Sequence, residues 1–136
     1  MNILKVRFYF IFIVLAFLAG CSTMQKTASV EGSVAYLERM ALPPSAQLEI
    51  TLADVSLADA PYQIISQKKM TPIGQVPIPF VIEYDPQQIN PSHTYAVMAR
   101  ITVDGKLMFI NDRSYQVITR DQTSKVEMIL KRVAAN

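Results

Sequence analysis

Tyr95-Ala96-Val97-Met98-Ala99-Arg100-Ile101-Thr102-Val103-Asp104-Gly105-Lys106-Leu107-Met108-Phe109 is the stretch that decides the fold class. Tyr95, Val97, Ala99, Ile101 and Val103 recur at every second residue, opposite Ala96, Met98, Arg100, Thr102 and Asp104. A period of two sends alternate side chains to opposite faces of a pleated strand, so a half-buried β-strand is predicted. Asp104-Gly105 interrupts the run, and Leu107 and Phe109 resume it. A tight type I′ turn needs positive φ at both central residues, which Asp-Gly supplies. The segment therefore reads as a β-hairpin.

The alternation extends in both directions from this hairpin. Upstream, Val30, Val34 and Tyr36 alternate with Glu31, Ser33 and Ala35, and Gly32 sits on the Val30 face. Leu48, Ile50 and Leu52 alternate with Glu49, Thr51 and Ala53, and Phe80, Ile82 and Tyr84 with Val81 and Glu83. Downstream come Tyr115 to Ile118, and then Val126, Met128 and Leu130 opposite Lys125, Glu127 and Lys131. Tyr62 to Met70 alternates weakly and ends near Lys68-Lys69, which reads as an edge strand, because lysines there discourage unwanted pairing. Pro43-Pro44, Pro72, Pro77 and Pro79 mark breaks or edges, since proline lacks the N–H a central strand donates. Asp85-Pro86 and Asn90-Pro91 bracket a loop with one helical turn at Pro86 to Ile89. The expected fold is all-β: an antiparallel β-sandwich of seven to eight strands over residues 30–133, with a small closed barrel as the alternative.

Charge narrows the function classes. The 136 residues carry 13 Lys and Arg against 11 Asp and Glu, but the excess is Lys5 and Arg7 alone. Beyond residue 20 the chain is neutral, without the clustered cations that nucleic acid requires, so no nucleic-acid partner is expected.

Residues 1–20 account for the early charge. After Lys5 and Arg7 runs an apolar stretch from Phe8 to Ala19, twelve residues long, which suits the core of a secretory signal and is short for a bilayer span. It ends Leu18-Ala19-Gly20-Cys21, which resembles the bacterial lipobox cut by a lipoprotein signal peptidase. That resemblance implies a signal peptide at 1–20, diacylglycerol on the Cys21 thiol and a fatty acyl group on its freed amine. Three acyl chains make a stable membrane anchor. The membrane lipid bound through acylated Cys21 is thus one expected partner. A lone cysteine in an exported chain wants such an explanation, and it forms no intrachain disulfide. Ser22 in place of Asp resembles the enteric signal for the outer membrane, on its periplasm-facing leaflet, with the inner membrane as the alternative. Residues 21–29 read as a lipidated polar tether.

Reactive chemistry is sparse. His93, the single histidine, lies in Asn-Pro-Ser-His and reads as a solvated loop side chain. A zinc site wants further His or Cys ligands, and no cofactor or metal is expected. Asp54 and Asp59 flank Val55-Ser56-Leu57-Ala58 and read as strand-end and turn caps, as do Asp85 and Asp112. No nucleophile carries a recognisable motif, and no enzyme is expected. Phe80 and Phe109 are predicted core. Tyr36, Tyr84 and Tyr95 share the inward phase.

Ala41-Leu42-Pro43-Pro44-Ser45-Ala46-Gln47-Leu48-Glu49-Ile50-Thr51-Leu52-Ala53-Asp54-Val55-Ser56-Leu57-Ala58-Asp59-Ala60-Pro61 resembles the YbaY-type lipoproteins, a group related to the YscW-type pilotins of type III secretion. Ile78 to Pro86 and Ala99 to Asp112 agree, and the likeness runs over about residues 29 to 131. It implies a β-sandwich lipoprotein of the cell envelope. Its pilotin relatives bind a secretin subunit and help it reach or assemble in the outer membrane. Unlike some relatives, the chain ends at Asn136 without a long Pro/Ser/Thr-rich tail, so no function of such a tail is expected. Two readings follow. In one, the domain is a chaperone-like module holding an outer-membrane or secreted polypeptide, with Tyr62, Ile64, Lys68 and Lys69 as the candidate partner-binding edge. In the other it is a structural or stress-related envelope component with no dedicated client; a sugar-binding module is weaker still.

Overall fold

The computed structural model describes residues 25–134. Leu18, Ala19, Gly20 and Cys21, and with them the predicted signal peptide and lipid site, lie outside the described residues. Eight strands follow one another: β1 Ala28–Tyr36, β2 Ala46–Asp54, β3 Gln63–Met70, β4 Ile78–Tyr84, β5 Tyr95–Val103, β6 Lys106–Asn111, β7 Tyr115–Val117 and β8 Lys125–Arg132. A 3₁₀ turn, Pro86–Gln88, precedes β5. The all-β expectation of seven to eight strands holds.

These strands form one sheet in the order β3-β2-β5-β6-β8-β1-β4, with β7 also on β5. The sheet curls into a nearly closed barrel, the shape considered as the alternative, so the two layers of the sandwich are its opposite walls. Its end strands, β3 and β4, meet at a seam. One pairing departs from the antiparallel expectation: β1 runs parallel to β8, from Glu31↔Lys125 to Tyr36↔Leu130. Hairpins force antiparallel neighbours, but these two strands are joined by almost the whole domain, so barrel closure sets their direction. β1 also begins at Ala28, inside the predicted 21–29 tether, because Ala28 and Ser29 pair with Tyr84 and Glu83. Such main-chain pairing needs no apolar alternation to announce it.

The predicted inward phases make the core. Val30, Val34 and Tyr36 of β1, Leu48, Ile50 and Leu52 of β2, Phe80 and Ile82 of β4, Tyr95, Val97, Ala99 and Ile101 of β5, and Met128 and Leu130 of β8 are buried. Asp104 and Gly105 have φ of 50° and 77°, as the predicted hairpin turn requires. Leu107 departs from expectation. A bulge between Ile101 and Thr102 sets Phe109 opposite Ile101 but Leu107 opposite Thr102, so Phe109 is buried while Leu107 is exposed. The same β5 edge is shared, with β6 along Arg100 to Val103 and β7 along Tyr95 to Val97. At the handover the Asn111 Oδ1 accepts from the Ala99 N–H at 2.9 Å, filling the gap in the ladder.

Candidate functional site

β3 is the edge strand its lysines predicted, and its backbone decides where the candidate side chains go. A bulge between Leu52 and Ala53 sets Ile64 opposite Ala53 but Ser66 opposite Leu52, leaving Ile65 without a cross-strand partner. The side-chain phase reverses there. Ile64 therefore falls on the outer face, together with Gln67 and Lys69, while Ser66 and Lys68 turn toward the seam.

On the outer face, Tyr62 and Ile64, 52% and 51% exposed, join Met98 of β5 and Ile110 of β6 around a groove of about 410 Å³. Thr51 of β2 lies between them, opposite Met98. Gln67 donates from Nε2 to the Thr51 Oγ1 at 3.2 Å. Glu49 closes one end, held between Arg100 Nε at 2.8 Å and Lys69 Nζ at 3.3 Å.

At the seam, β3 and β4 exchange no ladder hydrogen bonds. Ser66 Oγ donates to the Glu83 carbonyl at 2.6 Å, and Lys68 Nζ donates to the Val81 carbonyl at 2.9 Å. A groove of about 650 Å³ lies beside them, lined by Lys68, Met70, Phe80, Val81 and Val126 among others. A smaller one, of about 390 Å³, runs on past Ser66 to Glu83. The four candidate edge residues thus do not share a face. Tyr62 and Ile64 stand together, Lys68 latches the seam, and Lys69 is tied to Glu49. The bulge that divides them leaves only a faint mark in the sequence, the adjacent Ile64-Ile65 pair.

A second cluster gives His93, a loop side chain still 43% exposed, a partner that its surroundings in the sequence do not announce. Its Nδ1 meets Asp54 Oδ2 at 2.5 Å, because antiparallel pairing of Asp54 with Tyr95 carries residue 93 alongside the end of β2. A carboxylate only accepts, so Nδ1 carries the proton. Asp54 Oδ1 accepts from the Ser56 N–H and hydroxyl, and the Ser56 Oγ accepts from the Thr94 N–H. The β7–β8 loop is fastened to the same place: Thr119 Oγ1 donates to the His93 carbonyl at 2.7 Å and Arg120 Nη2 to that of Ser92 at 3.2 Å. These ties hold Ile118, Arg120 and Asp121 at φ of 75°, 58° and 63°, left-handed values costing about 1–3 kcal/mol for such residues. Only the pairing register brings Asp54 and His93 together, so no local motif betrays them.

Burial alone would raise the Asp54 carboxyl. The hydrogen bonds from Ser56 and His93, with the histidine charge, outweigh it and hold the group below the usual carboxylate value. A group depressed on folding contributes stability that is complete above its unfolded pKa and is lost as pH falls through the folded value. Asp54→Asn is therefore expected to cost about 1 kcal/mol at neutral pH. The gap to the parent should shrink in urea titrations below about pH 4, the ordinary carboxylate range.

The other carboxylates do not join this cluster. Asp85 caps the Gln87 N–H at 2.9 Å, and Asp59 lies in an exposed turn. Asp112 reaches only Arg113, at 3.8 Å. Among the described residues no three His, Cys, Asp or Glu side chains converge as a metal site.

A one-sheet barrel with a side-chain-latched seam, and with grooves on its outer face and along that seam, defines the class of domain. The chain belongs to the YscW family, described as the type III secretion system lipoprotein chaperone, whose profile matches residues 25–130. It is 41% identical over 96 residues to the uncharacterized lipoprotein YbaY of Escherichia coli (strain K12), a match covering 70% of this chain. The chain spans about half the length of that curated relative, 50% of it being matched. Among solved structures it is similar to an alternative pilotin from the type II secretion system of Vibrio cholerae, with 48% identity and a TM-score of 0.78 over 81% of this chain and 100% of that one.

Proposed function

We propose that this chain is a lipid-anchored module of the bacterial envelope that holds another polypeptide and catalyses nothing. The observation that carries the reading is the β3 edge, left without a ladder partner on an otherwise closed barrel and flanked by exposed Tyr62 and Ile64. Membership of a lipoprotein chaperone family and likeness to a pilotin support it. By analogy, the held polypeptide is an outer-membrane subunit such as a secretin or a secreted protein. Acylated Cys21 supplies location, and Ser22 supports the outer membrane, facing the periplasm. Residues 1–20 are the signal peptide, 21–27 the tether that remains ahead of β1, and 28–133 the holding domain.

Two measurements test this. Cys21→Ser is expected to leave an unprocessed precursor or a form released from washed outer membranes. Complete membrane retention at the normal processed size would refute the anchor. Cross-linking of the intact lipoprotein in whole envelopes is expected to recover one outer-membrane or secreted polypeptide reproducibly. Recovery of nothing above an unrelated lipoprotein control would refute the holding role and favour a structural envelope component.

A further inference from the structure

We propose that the β3–β4 seam admits one extended strand of the held polypeptide, which adds to the free edge of β4 and offers a carboxylate to Lys68. This rests on the polypeptide-holding reading and specifies how the holding is done. β4 is paired on one side only, with β1, from Ala28↔Tyr84 to Val34↔Ile78. In a strand the N–H and C=O of one residue point the same way, and those of the next residue point opposite. The carbonyls of Val81 and Glu83, two residues apart, point away from β1, since both are reached from β3. Their N–H groups share that direction and have no strand opposite. Pro79 has the same phase, which is why a residue without an N–H is accepted inside β4.

The seam is therefore half of a ladder. Its acceptors are occupied by the Ser66 hydroxyl and the Lys68 ammonium, both of which swing away by rotating single bonds. An incoming strand would replace each of these bonds with a backbone N–H and would also partner the free Val81 and Glu83 donors, the mode of strand addition at sheet edges. Space exists alongside, because the grooves of about 650 and 390 Å³ share Lys68 and Val81 as walls and follow β4 from Pro79 to Glu83. Charge selects the occupant. Among the described residues Lys68 pairs with no carboxylate, whereas its neighbour Lys69 pairs with Glu49 and Lys125 with Glu31. Once displaced from the Val81 carbonyl, the Lys68 ammonium is matched by an acidic side chain flanked by apolar alternate residues that face Phe80 and Met70.

The test uses the full lipoprotein in detergent and a fluorescent heptapeptide, TVTETVT, whose glutamate shares a face with two valines, with TVTQTVT as its neutral counterpart. Val81→Pro removes a seam-facing donor without touching the β1 ladder. It is expected to weaken peptide binding about tenfold, roughly one hydrogen bond's worth, with thermal unfolding unchanged. Ser66→Ala, which deletes a competing latch, should tighten binding severalfold, and the Gln peptide should bind several times more weakly than the Glu peptide. Should Val81→Pro fail to fold, exchange of the Val81 and Glu83 amides in the parent decides, since the peptide should slow both. Absence of peptide binding, unslowed amides, or binding that responds to Ile64→Asp on the outer face but not to the seam variants would overturn the proposal. So would a dimer in light scattering that Val81→Pro abolishes, because the seam would then serve a second copy. Client capture surviving in Val81→Pro overturns the seam alone. Peptide binding at the seam without any envelope client overturns the holding role and leaves the strand slot standing.

Discussion

Gly32→Ala is expected to destabilise the barrel by about 3 kcal/mol or more, at or above the upper end of ordinary overpacking. A Cβ at this position would lie 1.9 Å from the Val126 carbonyl oxygen, 2.9 Å from its carbon and 3.1 Å from the Phe80 ring. The first two neighbours are main chain and cannot rotate aside. Only separation of β1 from β8 makes room, and that parallel pair is the link between the β6–β8 wall and the β1–β4 wall. Urea unfolding should show the midpoint falling, and for a domain near 100 residues the melting temperature should drop by about 15 °C. Ser33→Ala, one residue on, should stay within about 0.5 kcal/mol as a surface control. A Gly32→Ala midpoint indistinguishable from that control would mean that β1 and β8 do not approach as described.

Phe109→Ala should be comparably severe, costing about 3–5 kcal/mol. Phe109 is fully buried and stacks on Tyr36 with ring centroids 4.2 Å apart and planes 13° from parallel. Truncation removes the ring's contacts and leaves a void against Tyr36, whose position is fixed by its hydroxyl donating to the Met40 carbonyl at 2.8 Å. Burial, with the Glu38 charge adding to it, pushes the Tyr36 phenol above its ordinary value. Phe109→Leu, which keeps most of the volume, should cost less than half as much. Near-ultraviolet circular dichroism should lose intensity in both variants as the stacked pair is broken. An alanine variant as stable as the leucine variant would show that this part of the core collapses freely around the loss.

What the chain discloses about itself follows the range of the interactions involved. Period-two alternation is local, so strands such as Tyr95–Val103 and the turn at Asp104-Gly105 were legible at once. Pairing across the chain is not local. Nothing near Glu31 points to Lys125, although their register closes the barrel and an ion pair of 3.1 Å joins them. Bulges lie between these extremes. One extra residue reverses every later side chain, which is how Leu107 left the core and how Ile64 parted from Lys68. The candidate site suffers most from this, since its grooves are defined by a bulge and a seam rather than by residue types. The Leu42–Gln75 brace, a reciprocal pair of main-chain-to-amide hydrogen bonds of 2.9 and 3.1 Å, was invisible for the same reason.

The position of β8, between β6 and β1 in the middle of the sheet, carries a consequence for synthesis. A chain emerging from the ribosome amino end first cannot complete this sheet until residues 125–132 are out. Contacts spanning that much sequence form slowly. Until then β6 and β1 lack the neighbour they share, and the two walls of the barrel stay unjoined. The strand that finishes the structure thereby also postpones it.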